Sequence, residues 1–272
     1  MDHVSTPPSE QSASDPLAQR PSREELQAEL LEVPDVPDAP PVPDPPGVEQ
    51  VLEAALRYVR GRRGADLLAV LLVGSGARRA WTAHSDVDLI ALVKGKGEGD
   101  EIVRVANRQV EIRYREYKGV EQDLALVLRL PPLLRKARVL FELEGAGSKL
   151  TDKANQRFRN GPPPIGMHEK IRLKAECFHR LGKVEDLSQQ PATAEYLLGL
   201  FLEALVDDFF RLRGFWPTAP ADTLRFVASR DAALADLIEQ FLAAPTMPER
   251  LGIGRNLALH LFHDIPHPQR VD

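Results

Sequence analysis

Cysteine is nearly absent from this chain. Of 272 residues one, Cys177, carries a thiol, so no internal disulfide can close and no Cys-based zinc site can be assembled. Long apolar runs are also missing: the longest, Leu67 to Val73, has seven residues, against the ~18 or more that a membrane-crossing helix needs. The N-terminus lacks the basic-then-apolar pattern of a secretory signal. Nor is there an excess of positive charge. The net charge is −5 and the isoelectric point near 5.9, the opposite of the balance by which a protein coats nucleic acid through phosphate contacts. These absences argue against redox, membrane-spanning and nucleic-acid-coating classes. They leave a soluble, cytoplasmic protein acting on small or nucleotide-sized ligands as the expectation. With 43% hydrophobic residues there is ample material for buried cores, and at roughly 150 residues per domain the length suits one large domain or two modest ones.

Proline is abundant but unevenly placed. Eleven of the 23 prolines precede Gly47, where acidic residues alternate with them, as in Val33-Pro-Asp-Val-Pro-Asp. Such a chain lacks the donors for a hydrogen-bonded ladder and the apolar surface for a core, so residues 1–46 are expected to be a mostly disordered, extended leader. Within it, Ser22-Arg-Glu-Glu25 ahead of Leu26, Leu30 and Leu31 has the form of a capping box opening a short amphipathic helix.

From Gly47 the pattern changes. Val51, Leu52, Ala55, Leu56 and Val59 recur at helical spacing. Leu67 to Val73 is short, apolar and ends at Gly74-Ser75-Gly76, which suits a buried strand, and Val87 to Val93 reads the same way. Ile102 to Val105 and the alternating Val110, Ile112 and Tyr114 predict a hairpin. Helices near 119–128, 131–136 and 148–157 and a strand near 139–143 complete a block over 47–160. Gly161-Pro-Pro-Pro164 breaks the chain. Beyond it, segments near 166–184, 191–213, 220–228, 231–243 and 247–263 are all helix-periodic, so 165–272 is expected to be a helical bundle. The fold class is therefore α+β, a mixed α/β arrangement in which a small sheet backed by helices precedes a helical C-terminal part.

The chemistry-bearing segment runs from Val73 to Val93. A strand stops at Gly74-Ser75, ten residues intervene, and Asp86-Val-Asp88 opens the next strand. Two carboxylates one residue apart on a strand share a face and can grip one metal. Oxygen donors without His or Cys suit Mg²⁺, a hard ion that retains waters and binds substrate phosphates beside a few carboxylates. The small residues ahead of them let backbone N–H groups and the Ser75 hydroxyl come close to a triphosphate. Other phosphate-binding loops fit less well: Arg79 stands where a dinucleotide loop needs its third small residue, and no Gly-Lys-Ser/Thr of a Walker loop is present. Capping or pairing of a loop by Asp86 and Asp88 is the purely structural alternative.

Gly-Ser, ten residues and Asp-x-Asp within strand–turn–strand resembles the DNA polymerase β-like nucleotidyltransferase superfamily, over residues 66–117 in detail and the remainder in outline. Arg78 after the Gly-Ser and Ser85 before Asp86 stand where many bacterial members carry Arg and Ser. The resemblance implies a small antiparallel or mixed sheet backed by helices, nucleotide contacts from Gly74, Ser75, Arg78 and Ser85, and a third carboxylate completing a metal site with Asp86 and Asp88. Glu111, flanked by Val110 and Ile112, is the candidate, with Glu116 in reserve. It also implies transfer of a nucleoside monophosphate, AMP from ATP as the leading case, to an acceptor hydroxyl. In outline the chain is similar to the kanamycin and aminoglycoside nucleotidyltransferase type, whose helical part supplies an acidic general base. The acceptor implied is then a small molecule such as an aminoglycoside, with RNA or protein as alternatives. Of Glu195, Glu203, Asp207 and Asp208, Glu203 is expected to be partly desolvated among Phe201, Leu202, Ala204 and Leu205 and to be the base.

Arg255-Asn-Leu-Ala-Leu-His260 resembles the active motif of the HEPN helical family, whose members include metal-independent ribonucleases. That motif works by pairing across a homodimer, and it leaves an inactive or antitoxin-like protein that binds a partner or cleaves RNA as the contrasting reading. Bundle packing is the plainer alternative for this segment. His84 lies in the loop before Asp86, and Arg104, Arg108, Arg113, Arg115 and Lys118 form a basic cluster that can hold phosphates or RNA or simply solvate a sheet face.

Overall fold

A computed structural model describes residues 43–96 and 99–268. The expected leader, including the short helix at Ser22, lies outside the described residues except for its last four positions. Of those, Asp44 accepts a hydrogen bond at 2.8 Å from the Trp81 indole, so the chain just ahead of Gly47 is tied to the loop before Asp86.

The mixed α/β class is as expected. Helix α1 (Val48–Arg63) leads through one 3₁₀ turn to β1 (Leu67–Val73). A single helical turn, Gly74–Ala77, and a loop connect to β2 (Val87–Val93). Then follow β3 (Gly99–Val105), β4 (Arg108–Glu116), α2 (Tyr117–Leu126), α3 (Leu130–Leu134), β5 (Arg138–Glu142) and α4 (Ala146–Arg159). The five strands form one sheet in the order β3-β4-β2-β1-β5. All neighbours are antiparallel except β2 and β4, which run parallel because β3 takes the outer edge and β4 is inserted between it and β2.

The two faces of this sheet are covered differently. Val70, Leu72, Val87, Leu89, Ala91, Val110, Ile112 and Tyr114 point to one side and pack with Val48, Val51, Leu52, Ala55 and Val59 of α1. Ala69, Leu71, Ile90 and Leu92 point to the other and pack with Val120, Leu124, Leu134, Leu150 and Ala154 from α2, α3 and α4. That second cover extends over β1, β2 and Val139 of β5 but not over β4 and β3. On β4 and β3 the same face carries Glu111, Arg113 and Ile102, and Ile102 is 67% exposed. A half-covered face creates a step along β2, with packed side chains on one side and open polar sheet on the other.

The C-terminal part is helical throughout: α5 (Met167–Asp186), α6 (Pro191–Arg213), α7 (Pro220–Arg230), α8 (Ala232–Ala243) and α9 (Met247–Leu261). Proline opens α6 and α7, where its missing N–H goes unneeded, and the Asp231 and Thr246 side chains cap α8 and α9. One core unites Phe201 and Phe209 of α6 with Leu181, Ile238, Phe241, Leu257 and Phe262, and each such fully buried side chain contributes roughly 1.5–3 kcal/mol. Trp216, just after α6, stacks on Phe158 at 5.9 Å and donates its indole N–H to the Phe158 carbonyl at 2.8 Å, joining this part to α4. Among the described residues no helix is long and apolar enough to cross a membrane.

Candidate active site

Asp88 stands at the step in the sheet. Register places it beside Val73 of β1 on one side and opposite Glu111 of β4 on the other. Asp86 lies two residues upstream. Each of the three acids offers an oxygen, all within 4.8 Å of one another, and all three are half-buried. Glu116, the reserve candidate, pairs with Val93 at the far end of the same ladder and is exposed, so Glu111 is the acid that joins the pair.

Burial, with the Asp86 charge next and that of Glu111 adding to it, pushes the Asp88 carboxyl above its ordinary range. Arg113, a residue that the sequence marked only as part of a basic cluster, opposes this. Two positions beyond Glu111 on the same face, it donates from Nε to Glu111 at 2.7 Å and brings Nη2 to 3.7 Å from Asp88. The hydrogen bond to Glu111 raises the pKa of Arg113 itself. Sequence holds the signal for this placement: an Arg at i+2 from a strand carboxylate must share its face.

Gly74 explains the required bend. Its φ is +68°, a conformation L side chains rarely adopt, and a Cβ there would stand 2.4 Å from Asp88 Oδ2. Gly76 has no room either, since a Cβ would lie 2.8 Å from the Trp81 ring. The Ser75 hydroxyl has no hydrogen-bond partner among the described residues, and the Ser75 carbonyl accepts from the Ala80 N–H at 2.9 Å. Backbone at Gly74 therefore approaches Asp88 more closely than a residue with a side chain could, while Gly76 is fitted to Trp81.

The other expected residues are distributed as follows. Ser85 uses its hydroxyl to accept the Thr82 N–H at 2.8 Å, closing the turn before Asp86. Arg108 donates to the Ser85 carbonyl at 3.1 Å and lies 5.4 Å over Trp81, so it braces this loop. Arg78 is bonded to Asp222 of α7, while Arg79 and His84 are exposed. Arg115 is held by Asp100. Of the basic cluster, Arg104 and Lys118 alone are left exposed without a partner among the described residues.

The desolvation expected for Glu203 is absent: it faces outward on α6, while Phe201 and Leu205 turn inward. Asp208 is the acid that burial reaches. It is 4% exposed, one of its oxygens has no hydrogen-bond partner, and burial, opposed by Arg180 and Arg211, pushes its carboxyl up to about 7. Helical phase would have found it, because 201, 205, 208 and 212 fall at i, i+4, i+7 and i+11 on one stripe. Asp208 is buried within the bundle, 4.0 Å from Arg211, and the Cys177 thiol, pushed up chiefly by its own burial, is raised further by the Asp208 charge. Glu195 is paired with Arg250, and Asp207 is exposed.

Arg255 and His260 point to different partners within the chain. Arg255 is bonded to Glu185 of α5, and His260 Nε2 lies 3.0 Å from the Asp231 carboxylate that caps α8.

No family model matches the chain, and no curated protein matches it. Among solved structures it is similar to a nucleotidyltransferase-like protein from Exiguobacterium sibiricum 255-15, at 16% identity and a TM-score of 0.46, over 80% of this chain and 75% of that one. Three converging carboxylates with no nitrogen or sulfur donor fit a hard divalent cation, which would offset both the burial that chiefly raises the Asp88 pKa and the Asp86 and Glu111 charges that add to it.

Proposed function

We propose that this protein is a divalent-metal-dependent nucleotidyltransferase, moving a nucleoside monophosphate, AMP from ATP as the leading case, to an acceptor hydroxyl. One observation carries the reading: Asp86, Asp88 and Glu111 offer oxygens within 4.8 Å of one another, directly opposite a glycine whose Cβ would collide with Asp88. Asp86, Asp88 and Glu111 would hold Mg²⁺, which when bound screens triphosphate charge and lowers the pKa of a coordinated hydroxyl.

The chain's own groups account for the rest. The bend at Gly74–Gly76 admits the triphosphate next to the acids, with the Ser75 hydroxyl and backbone N–H groups as donors. Arg78 offers positive charge to the phosphates that depart. The open sheet over β4 and β3 leaves the acceptor room to approach from the side opposite the packed helices. In the reaction, the acceptor oxygen bonds to the α-phosphorus, the bond from that phosphorus to the α,β-bridging oxygen breaks, pyrophosphate leaves and the hydroxyl proton passes to a base. The acceptor is proposed to be a small polyhydroxylated molecule such as an aminoglycoside, in the cytoplasm. Placement of Glu203 on an exposed surface gives no support to it as that base, and Arg255 and His260, held by separate partners, give none to a ribonuclease.

The test is incubation with α-labelled nucleoside triphosphates, Mg²⁺ and acceptor pools of aminoglycosides, RNA or proteins. A product heavier by one nucleoside monophosphate is expected, lost with EDTA and reduced at least about a thousandfold by Asp88→Asn or Asp86→Asn. Transfer that survives these changes, or no transfer with any nucleotide and pool, overturns the reading. Label on RNA or protein instead keeps the reaction and replaces the acceptor.

A further inference from the structure

Arg78 ends the bend that carries Gly74 and Ser75, yet its guanidinium is bound 144 residues away. Nη1 donates to Oδ2 of Asp222 in the first turn of α7. The pair is well shielded, at 18% and 17% side-chain exposure. Asp222 is itself fixed: its other oxygen takes Arg225 at 2.7 Å, and its N–H donates to the Ala219 carbonyl at 2.8 Å. Nε and Nη2 of Arg78 have no partner among the described residues. A guanidinium is a rigid planar fork, so gripping one nitrogen sets the direction of the others, and the free edge is the kind that binds a phosphate through two N–H groups.

We infer that Asp222 is a positioning residue for nucleotide binding. It aims the Nε–Nη2 edge of Arg78 at the phosphates beside the Gly74–Gly76 bend and so makes affinity for a triphosphate depend on the helical half of the chain. This rests on the nucleotidyltransferase reading. The opposite role, a carboxylate that competes with phosphate for Arg78, predicts an effect of opposite sign.

The experiment measures equilibrium binding of ATP with Mg²⁺, and of adenosine as the phosphate-free control, to the full chain and to Asp222→Asn, Asp222→Glu, Arg78→Ala and the double variant Asp222→Asn with Arg78→Ala. Thermal unfolding of each reports folding. Asp222→Asn is expected to weaken ATP binding about tenfold, to leave adenosine binding unchanged and to add nothing once Arg78 is gone, which is the signature of one residue acting through another. Asp222→Glu, which keeps the charge, should recover most of the loss. Unchanged or tighter ATP binding by Asp222→Asn, an equal loss in the Arg78→Ala background, or Asn and Glu variants that behave alike would each overturn the inference while leaving the parent reading intact. A wild-type chain that binds no ATP at all brings down both.

Discussion

The sheet and the helical bundle handle charge in opposite ways. On the sheet, three acids are brought together by backbone register, with one arginine between two of them and open polar surface alongside. In the bundle, Arg211 is bonded to Glu169, Arg250 to Glu195, Arg255 to Glu185 and His260 to Asp231, each in its own place. Its buried acid, Asp208, is likewise shut inside the bundle with Arg211 4.0 Å away. Like charges concentrated at a strand end call for a counter-ion from outside, while dispersed pairs neutralise one another. A carboxylate becomes informative about chemistry when the fold leaves it in company, and Asp208 shows that burial alone does not suffice.

The sharpest break in this contrast is at the bend. Gly74→Ala places a Cβ against the Asp88 carboxylate and strains a positive φ, at a cost of about 1–3 kcal/mol in stability. Displacing Asp88 by even an ångström is expected to reduce transfer on the order of a hundredfold. Denaturant unfolding and label transfer read the two effects, and near-wild-type transfer would detach the bend from the site.

Next is Asp208. Its folded pKa, about 7, lies above the ordinary ~4 of an unfolded aspartate, so between these values the folded chain binds the extra proton. Stability attributable to this group is therefore present at low pH and falls as pH rises from ~4 to ~7, by up to about 4 kcal/mol. Thermal unfolding at pH 5.5 and 8.5 should show a drop that Asp208→Asn largely removes. An equal drop in both proteins refutes it.

Arg113→Gln removes the cation held among the acids. Screened for its partial exposure, the change should tighten Mn²⁺ binding on the order of tenfold, read by paramagnetic resonance of the free ion. Unchanged or weaker binding means that Arg113 is not the acids' resident counter-charge. The smallest effect is expected at Arg255→Ala: its partner pairing is exposed, so stability should change by no more than about 1 kcal/mol and transfer not at all.

Legibility followed the range of the interactions. Strands β1 and β2 were readable to the residue, because an apolar run ending in glycine and another opened by Asp-Val-Asp are local signals. The helices of the bundle were readable to within a few positions, through their apolar period. Asp86, Asp88 and Glu111 converge because β4 lies beside β2, a neighbour relation that periodicity does not contain; the resemblance implies a third acid but not which strand lies next to β2. Asp222 was not readable at all, since nothing near it in sequence marks Arg78 as its partner. The expected desolvation of Glu203 is not met for a simpler reason: apolar neighbours in sequence flank a helical residue but do not cover it, and the stripe that does turn inward passes through Asp208.

The insertion of β4 between β2 and β3 has one more consequence. Along that ladder Glu111 faces Asp88 and Arg113 faces Ile90. Sliding the hairpin by a single step would turn the glutamate under α1, and sliding it by two in one direction would set a permanent cation where the third acid belongs. The sign of the charge beside Asp88 is thus written in the alignment of β2 with β4, since a two-residue slide in one direction would seat Arg113 there and in the other the neutral Gln109.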